Sequence, residues 1–500
     1  MRIARNFVVR WMFCAAIAAL LVAMSVAPSR TEAQSAGNKA VYNSSSTCCS
    51  ASSAYIDASA VTQGTDLCNT LYLILTGNGT NGYAAYPNGG AVIDARGISG
   101  LALNCTSGSP WVQGTNLNSS VATILLPAGT VTISKTWIIP EFSRVIGEGP
   151  GVTTLATAST FSSSIDSVNA MVELGSTYTS TSCTSGTYCF CGGGTTRPAD
   201  CVSVGVRDLT LDASNYTGGS LIIGVENEAS QELSFVDHVE FNDAPSSAQS
   251  NGMLGLKVYT DTAGGSLISA NNSGPYSNLI FTAGSNAGVG TQCASITGVA
   301  GTRGIHGLSC MASLTTPPAA AITLDGNSTS IEDVYINGFG DGIRVGSVGP
   351  AQADVLSNIA GGSSLTNLIN IENQTGGSSS CPPGSSAQNV CDLSILHATS
   401  AAGTTIDDQV TGASLSNSTD PLVGMYILGE QLGTSTSPIQ YSRFSTSPTY
   451  PTWGVGNTSP ASGSSCNATS ANGSLYSNSS SSSTTGTLFV CVSGAWVKAK

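Results

Sequence analysis

Val206-Arg-Asp-Leu-Thr-Leu-Asp212 is a seven-residue phrase that returns along the chain. Val236-Asp-His-Val-Glu-Phe-Asn242, Tyr276-Ser-Asn-Leu-Ile-Phe-Thr282 and Ile331-Glu-Asp-Val-Tyr-Ile-Asn337 repeat it, and weaker copies begin at Leu365 and Val390. Each copy reads apolar, variable, Asp/Asn/His, Leu/Val, variable, apolar. That is a short strand with a polar turn at its edge. Copies 25 to 55 residues apart point to stacked coils, in which each repeat buries its apolar face only against its neighbours. The fold class read from the phrase is an all-β solenoid.

Composition agrees. Only 9% of the 500 residues are charged and 58 are Gly, while the hydrophobic fraction is 41%. Disorder goes with low hydrophobicity and high charge, so this balance favours an ordered β architecture. Good helix formers such as Lys, Glu and Arg are scarce, which argues against long helices.

The first residues read as a secretion signal. Arg2, Arg5 and Arg10 precede an apolar core from Trp11 to Ala27, and Thr31-Glu32-Ala33 places small residues for cleavage after Ala33. A retained membrane anchor is the alternative; no other stretch approaches membrane-spanning length. Cleavage removes four Arg and Glu32, leaving 12 basic and 28 acidic residues, a net charge of −16. Such a surface repels nucleic acid and anionic membranes.

Fourteen cysteines follow the signal, and an even number in an exported chain reads as disulfides. Local couples are Cys68 with Cys105, Cys293 with Cys310, Cys381 with Cys391 and Cys466 with Cys491. Cys183, Cys189, Cys191 and Cys201 form a denser group. Zinc is the alternative there, but the paired spacing of a zinc site is missing. Cys48 and Cys49 are adjacent, and their partners stay open.

Thr65-Asp66 offers a helix N-cap ahead of Leu67, Leu71, Ile74 and Leu75 at helical spacing, with Gly77 and Gly79 as the stop. This helix precedes the strand at 91–94 and would cover the open end of a solenoid. From Thr123 short strands alternate with Gly, Pro and Ser; Val131 and Ile133 face one way, Thr130 and Thr132 the other. The stretches 169–201 and 283–321 read as insertions leaving the coil. The expected organisation is a signal (1–33), an N-terminal cap and first coil (34–120), a parallel β-helix (121–435), a Ser/Thr-rich linker (436–463) and a small disulfide-closed β module (464–500).

Gly89-Gly-Ala-Val-Ile-Asp-Ala-Arg-Gly97, Leu125-Leu-Pro-Ala-Gly-Thr-Val-Thr-Ile133, Trp137-Ile-Ile-Pro140 and Val145-Ile-Gly-Glu-Gly-Pro-Gly-Val-Thr-Thr-Leu155 carry a family likeness. The chain resembles the pectate-lyase superfamily, in its rhamnogalacturonase/epimerase-like branch, over roughly 55–435. The resemblance implies a right-handed parallel β-helix. It leaves function open, because that fold hosts lyases, hydrolases, epimerases and non-catalytic surface proteins.

The Gly-His-Gly and Arg-x-Lys that accompany the aspartates of hydrolases on this scaffold are absent; Arg303-Gly-Ile-His306-Gly is the nearest fragment. Asp208, Asp212, Asp237, Asp243, Asp333 and Asp341 are candidates for an outward acid column. Asp237 and Asp243 are read as substrate-binding. Asp208, Asp333 and Asp392 read as a structural ladder rather than as catalytic acids, because short polar side chains bond backbone at turns. Asp341-Gly-Ile-Arg344-Val would turn Asp341 and Arg344 outward together. With His306 they are the catalytic candidates, since a lyase needs a base and a cation that stabilises an enolate. A surface ion pair is the bland reading. His238 reads as a turn residue, and His397 carries no partner signal.

Two functions follow. One is a secreted carbohydrate-active protein, of lyase or glycoside hydrolase type, acting on or binding an extracellular, acidic polysaccharide, with calcium as a candidate cofactor. The other is a non-catalytic surface or adhesive solenoid. No nucleic-acid partner is expected, and no membrane span after signal cleavage.

Overall fold

The computed structural model describes residues 55–60, 64–77, 91–98, 103–106, 108–163, 165, 168–178, 189–191, 201–249, 251–261, 268–347, 351–372, 390–391, 393–401, 404–408, 426–428, 439–441, 453–456, 475–478 and 487–498. The signal segment, Cys48, Cys49, Cys183, Cys381, Asp392 and Cys466 lie outside them.

The chain is a parallel β-helix. Among the described residues, fifteen strands form one sheet (sheet 1) and thirteen a second (sheet 2), and the chain visits them in turn. In sheet 1, Gly205–Asp212 pairs in parallel with Phe235–Asp243, then Tyr276–Ala283, Ile305–Ala312, Ser330–Asn337, Val355–Gly361 and Ser394–Ser400. In sheet 2 the corresponding run is Ile222–Asn227, Met253–Asp261, Gln292–Ala300, Ala320–Asn327, Asp341–Val345, Asn367–Ile371 and Thr404–Asp408.

The repeated phrase is the sheet 1 strand, and its third position has a backbone cause. Asp208, His238, Asn278, Asp333, Asn358 and His397 all hold φ between +53° and +59°, and Gly307 occupies the same place with φ +79°. Side chains rarely tolerate this left-handed conformation; Gly, Asn, Asp and His tolerate it best. The ladder skips these residues, pairing Arg207 with Asp237 and then Leu209 with Val239. An extra residue of this kind bends a strand. It also explains why the apolar positions are three apart before returning to two. Val206, Leu209 and Leu211 point inward, and Arg207, Asp208 and Thr210 form the outer side.

Three interior columns follow from this register. Val206, Val236, Tyr276, Ile305 and Ile331 stack in the first. Leu209, Val239, Leu279, Leu308 and Val334 fill the second, with Leu211, Phe241, Phe281, Cys310 and Ile336 in the third. Across the interior, sheet 2 supplies Val225, Leu256, Ala294, Ile322, Ile343, Ile369 and Ile406. Burial of such side chains, each worth about 1.5–3 kcal/mol, holds the coils in register.

Several sequence expectations are corrected here. The 283–321 stretch is no insertion: it contains strands of both sheets, and the Cys293–Cys310 disulfide joins them across the interior. Ile305-His-Gly-Leu-Ser-Cys310 is a copy of the phrase with Gly at its third position. The weaker copies begin at Leu356 and Ile395, in register with Ile331. Leu365 lies just ahead of a sheet 2 strand, and Val390 starts a short strand paired to Ala351–Gln352. The 169–201 stretch likewise contains the sheet 2 strand Ala170–Leu174, and Cys191 pairs with Cys201.

The helix runs Leu67–Thr76. Asp66 caps it by accepting from the Asn69 N–H at 2.8 Å, and Gly77 closes it in the left-handed region. It follows the first strand, Tyr55–Asp57, which pairs with Ala91–Asp94. Leu67, Leu71, Ile74 and Leu75 are buried in the common core, and Cys68–Cys105 fastens the helix to the coil. Tyr55 and Arg96 both donate to Asp94; the Arg96 bonds, above all, hold that carboxyl down at about 2. Beyond residue 435, Ile439–Tyr441 continues sheet 2, and Trp453–Gly456, Leu475–Asn478, Thr487–Val492 and Ala495–Lys498 form a separate four-stranded sheet.

If the third phrase position is conformational, the residue's φ tolerance decides stability. Asp333→Val is expected to cost about 1–3 kcal/mol, whereas Asp333→Asn and Asp333→Gly cost markedly less. Urea midpoints of the three variants check the order.

Candidate active face and the charged column behind it

The outer side of sheet 1 carries the exposed polar residues. One column reads Arg207, Asp237, Ser277, His306, Glu332 and Ser357, one residue per coil. The left-handed residues form the column beside it. His238 Nδ1 lies 2.8 Å from Asp208 Oδ1, and Arg207 Nε lies 3.3 Å from Asp208 Oδ2. Ser277 Oγ and Asn278 Nδ2 both donate to Asp237 Oδ1, at 2.7 and 2.8 Å. His306 Nδ1 stands 3.3 Å from Glu332 Oε2 while its Nε2 meets the Arg303 carbonyl at 2.5 Å. Asn358 donates to Asp333 at 2.6 Å. Strands about 4.8 Å apart thus present carboxylate and imidazole groups to solvent coil after coil.

Asp237 and His306 are therefore brought into one column. Asp341 and Arg344 are not; they sit on sheet 2. As expected, Ile343 and Val345 are fully buried and Arg344 points out. Asp341, however, is only 5% exposed. Its Oδ2 takes Arg344 Nε at 2.7 Å and Asn370 Nδ2 at 2.9 Å, and its Oδ1 takes Asn367 Nδ2 at 3.0 Å. Glu372 Oε1 approaches Arg344 Nε at 3.2 Å. Gly342 does not turn Asp341 outward; the glycine is needed because a Cβ there would run into the Leu368 carbonyl of the next coil.

The outward column of sheet 2 holds a second group that the phrase-based reading missed. Glu173, Glu226, Lys257, Ser295, Thr323, Arg344 and Asn370 follow one another in register. Lys257 Nζ bonds Glu226 Oε1 at 2.7 Å and lies over the Tyr259 ring. Tyr259 donates to Glu228 Oε2 at 2.7 Å, and Thr177 donates to Glu228 Oε1. Burial pushes the Glu226 carboxyl up against the pull of Lys257, and burial together with the two glutamates pushes the Tyr259 hydroxyl up. A sequence signal existed: Gly-apolar-charged recurs at Gly224-Val-Glu226, Gly255-Leu-Lys257 and Gly342-Ile-Arg344.

Asp243 closes its strand with its side chain fully buried. Thr291 Oγ1 reaches its Oδ2 at 3.3 Å, and its Oδ1 has no hydrogen bond. Desolvation dominates and raises its pKa to about 6, against smaller opposing pulls from Thr291 and the Met253 N–H.

Asp341 offers a calcium ion no ready seat. The Asp341 oxygens are occupied by Arg344 and two asparagine amides, where a hard cation would need those lone pairs. Among the described residues no three His, Cys, Asp or Glu side chains are grouped to hold a metal.

No family model and no curated relative matches the chain. Among solved structures it is similar to the mannuronan C-5 epimerase AlgE4 A-module of Azotobacter vinelandii, at 12% identity and TM-score 0.28, covering 64% of this chain and 89% of that one. It is also similar to ORF18 of Geobacillus virus E2, at 14% identity and TM-score 0.29, covering 64% and 55%. Overlays at these scores bear on no residue of the face.

Asp243 gives a pH test. Its folded pKa lies above the ordinary 3.8, so between about pH 4 and 6 the folded chain keeps a proton that the unfolded chain releases. Stability therefore falls as pH rises through that window, by about 3 kcal/mol at most. Asp243→Asn should raise the unfolding midpoint at pH 7.5 and leave it unchanged below pH 4.

Proposed function

We propose that the protein is an extracellular carbohydrate-active enzyme that lays a polysaccharide along the outer side of sheet 1 and cleaves it by hydrolysis. The observation that carries this reading is the solvent-facing pair of columns, with Asp208 held by His238 and Asp237 held by Ser277 and Asn278. Both bonds to Asp237 end on Oδ1, so Oδ2 stays open to a reactant. With coils about 4.8 Å apart and consecutive Cα atoms about 3.8 Å apart, the two aspartates start about 6 Å from each other. From there their carboxyl groups reach the separation of about 6.5–9.5 Å used by inverting hydrolysis. One carboxyl protonates the leaving oxygen and the other activates water. His306 and Glu332, further along the column, position the chain.

Hydrolysis is favoured over lyase chemistry by the state of Arg344. Two carboxylates, Asp341 and Glu372, already share its guanidinium, which leaves little charge for a developing enolate. In this reading Asp341 and Arg344 support sheet 2. An extracellular setting is supported by the reading of residues 1–33 as a secretion signal and by disulfides among the described residues, including Cys68–Cys105, Cys191–Cys201 and Cys293–Cys310. No described helix is long and apolar enough to cross a membrane.

Incubation with a polysaccharide panel tests the reading. New reducing ends without ultraviolet-absorbing unsaturated uronate are expected. Asp208→Asn and Asp237→Asn should each lower that rate by about 10²–10⁴-fold, and Asp341→Asn far less. Unsaturated product would sink the hydrolase assignment, and binding without any product would favour the adhesive alternative.

A further inference from the structure

The same face carries an apolar strip that neither the fold nor the proposed chemistry uses. The next outward column reads Thr210, Glu240, Ile280, Ser309, Tyr335 and Ala360. Ile280 and Tyr335 flank Ser309 on neighbouring coils and are 38% and 43% exposed; Met311, two residues beyond Ser309, is 40% exposed. Three large apolar side chains at one place on a polar sheet mark a contact surface. Glu332 and Asp333 stand beside them and Asp237 and Glu240 one coil before Ile280, with Asp208 and Asp212 further along the face. Against these stand Arg207, His238 and His306 within the face and Arg303 at its edge.

Charge selects the occupant. A polyuronate would meet carboxylate on carboxylate along several coils. A second copy of this chain would set two acidic faces together, which is equally unfavourable. A polymer bearing protonated amines gains from every coil, and an ammonium over the Tyr335 ring gains a cation–π contact as well. Sugar rings offer the apolar face that Tyr335, Ile280 and Met311 are shaped to receive.

Resting on the polysaccharide reading, we infer that the face takes an amino-sugar glycan, with Tyr335 as the residue that stacks on it. The occupant carries free amines, and its acetylated and acidic counterparts are discriminated against by the acid columns.

The test is binding of the full chain to a β-1,4-linked glucosamine oligomer, its N-acetylated counterpart, a neutral glucan and polygalacturonate. The glucosamine oligomer should bind about tenfold or more tighter than the acetylated one, with affinity falling as salt rises, and polygalacturonate should not bind. Tyr335→Ala should weaken the glucosamine oligomer about tenfold, while Tyr335→Phe keeps it; both changes are at an exposed position, and an unchanged unfolding midpoint confirms folding. Equal or tighter binding of the neutral or acidic polymer, or indifference to Tyr335→Ala, overturns the inference and leaves the polysaccharide reading standing. No binding of any glycan overturns both.

Discussion

Seven of the fifteen described sheet 1 strands are each bent by one residue in the left-handed region, and the organisation of the outer face depends on that bend. Seven coils repeat it, at Asp208, His238, Asn278, Gly307, Asp333, Asn358 and His397. The bend inserts an extra outward residue, so two polar columns lie side by side on the outside while three apolar columns fill the inside. The residue types that tolerate the conformation are also those with carboxylate, amide and imidazole groups. A backbone requirement thereby places carboxylate, amide and imidazole groups on the outer face.

The two sheets use charge differently. On the outer side of sheet 1, Asp208, Asp237 and Asp333 share hydrogen bonds with neighbours one coil away, while Asp243 at its strand's end is buried. On sheet 2 the charged column is largely buried and internally neutralised: Glu226 by Lys257, and Asp341 by Arg344 and two asparagines. Removing one partner from such a group costs more than the group contributes as a pair. Reactive behaviour is therefore expected at solvent-facing carboxylates such as Asp237, and a supporting role at the buried, triply bonded Asp341.

Much of this was legible in the sequence. The phrase revealed the strand, its inward positions and the parallel stacking, and the Asp66 cap and Gly77 stop marked the helix. Cys68 with Cys105 and Cys293 with Cys310 were pairable by proximity, although the second bridge crosses the interior where a loop closure was expected. The phrase at Ile305 escaped notice because Gly307 satisfies the backbone requirement without a polar side chain. Asp341 was expected outside because Gly342 was read as freeing it to turn out beside Arg344, yet that reading is silent about amides on the next coil. Asn367 and Asn370 lie 26 and 29 residues away, and only the register brings them to the carboxylate.

The central claim is that function resides on the bent face of sheet 1. Hydrogen–deuterium exchange of the full chain, with and without a saturating glycan found to bind it, tests this most directly. Slowed exchange centred on Gly205–Asp212, Phe235–Asp243, Tyr276–Ala283, Ile305–Ala312 and Ser330–Asn337 is the expected result. Protection confined to Asp341–Val345 and Asn367–Ile371, with sheet 1 unchanged, would contradict it.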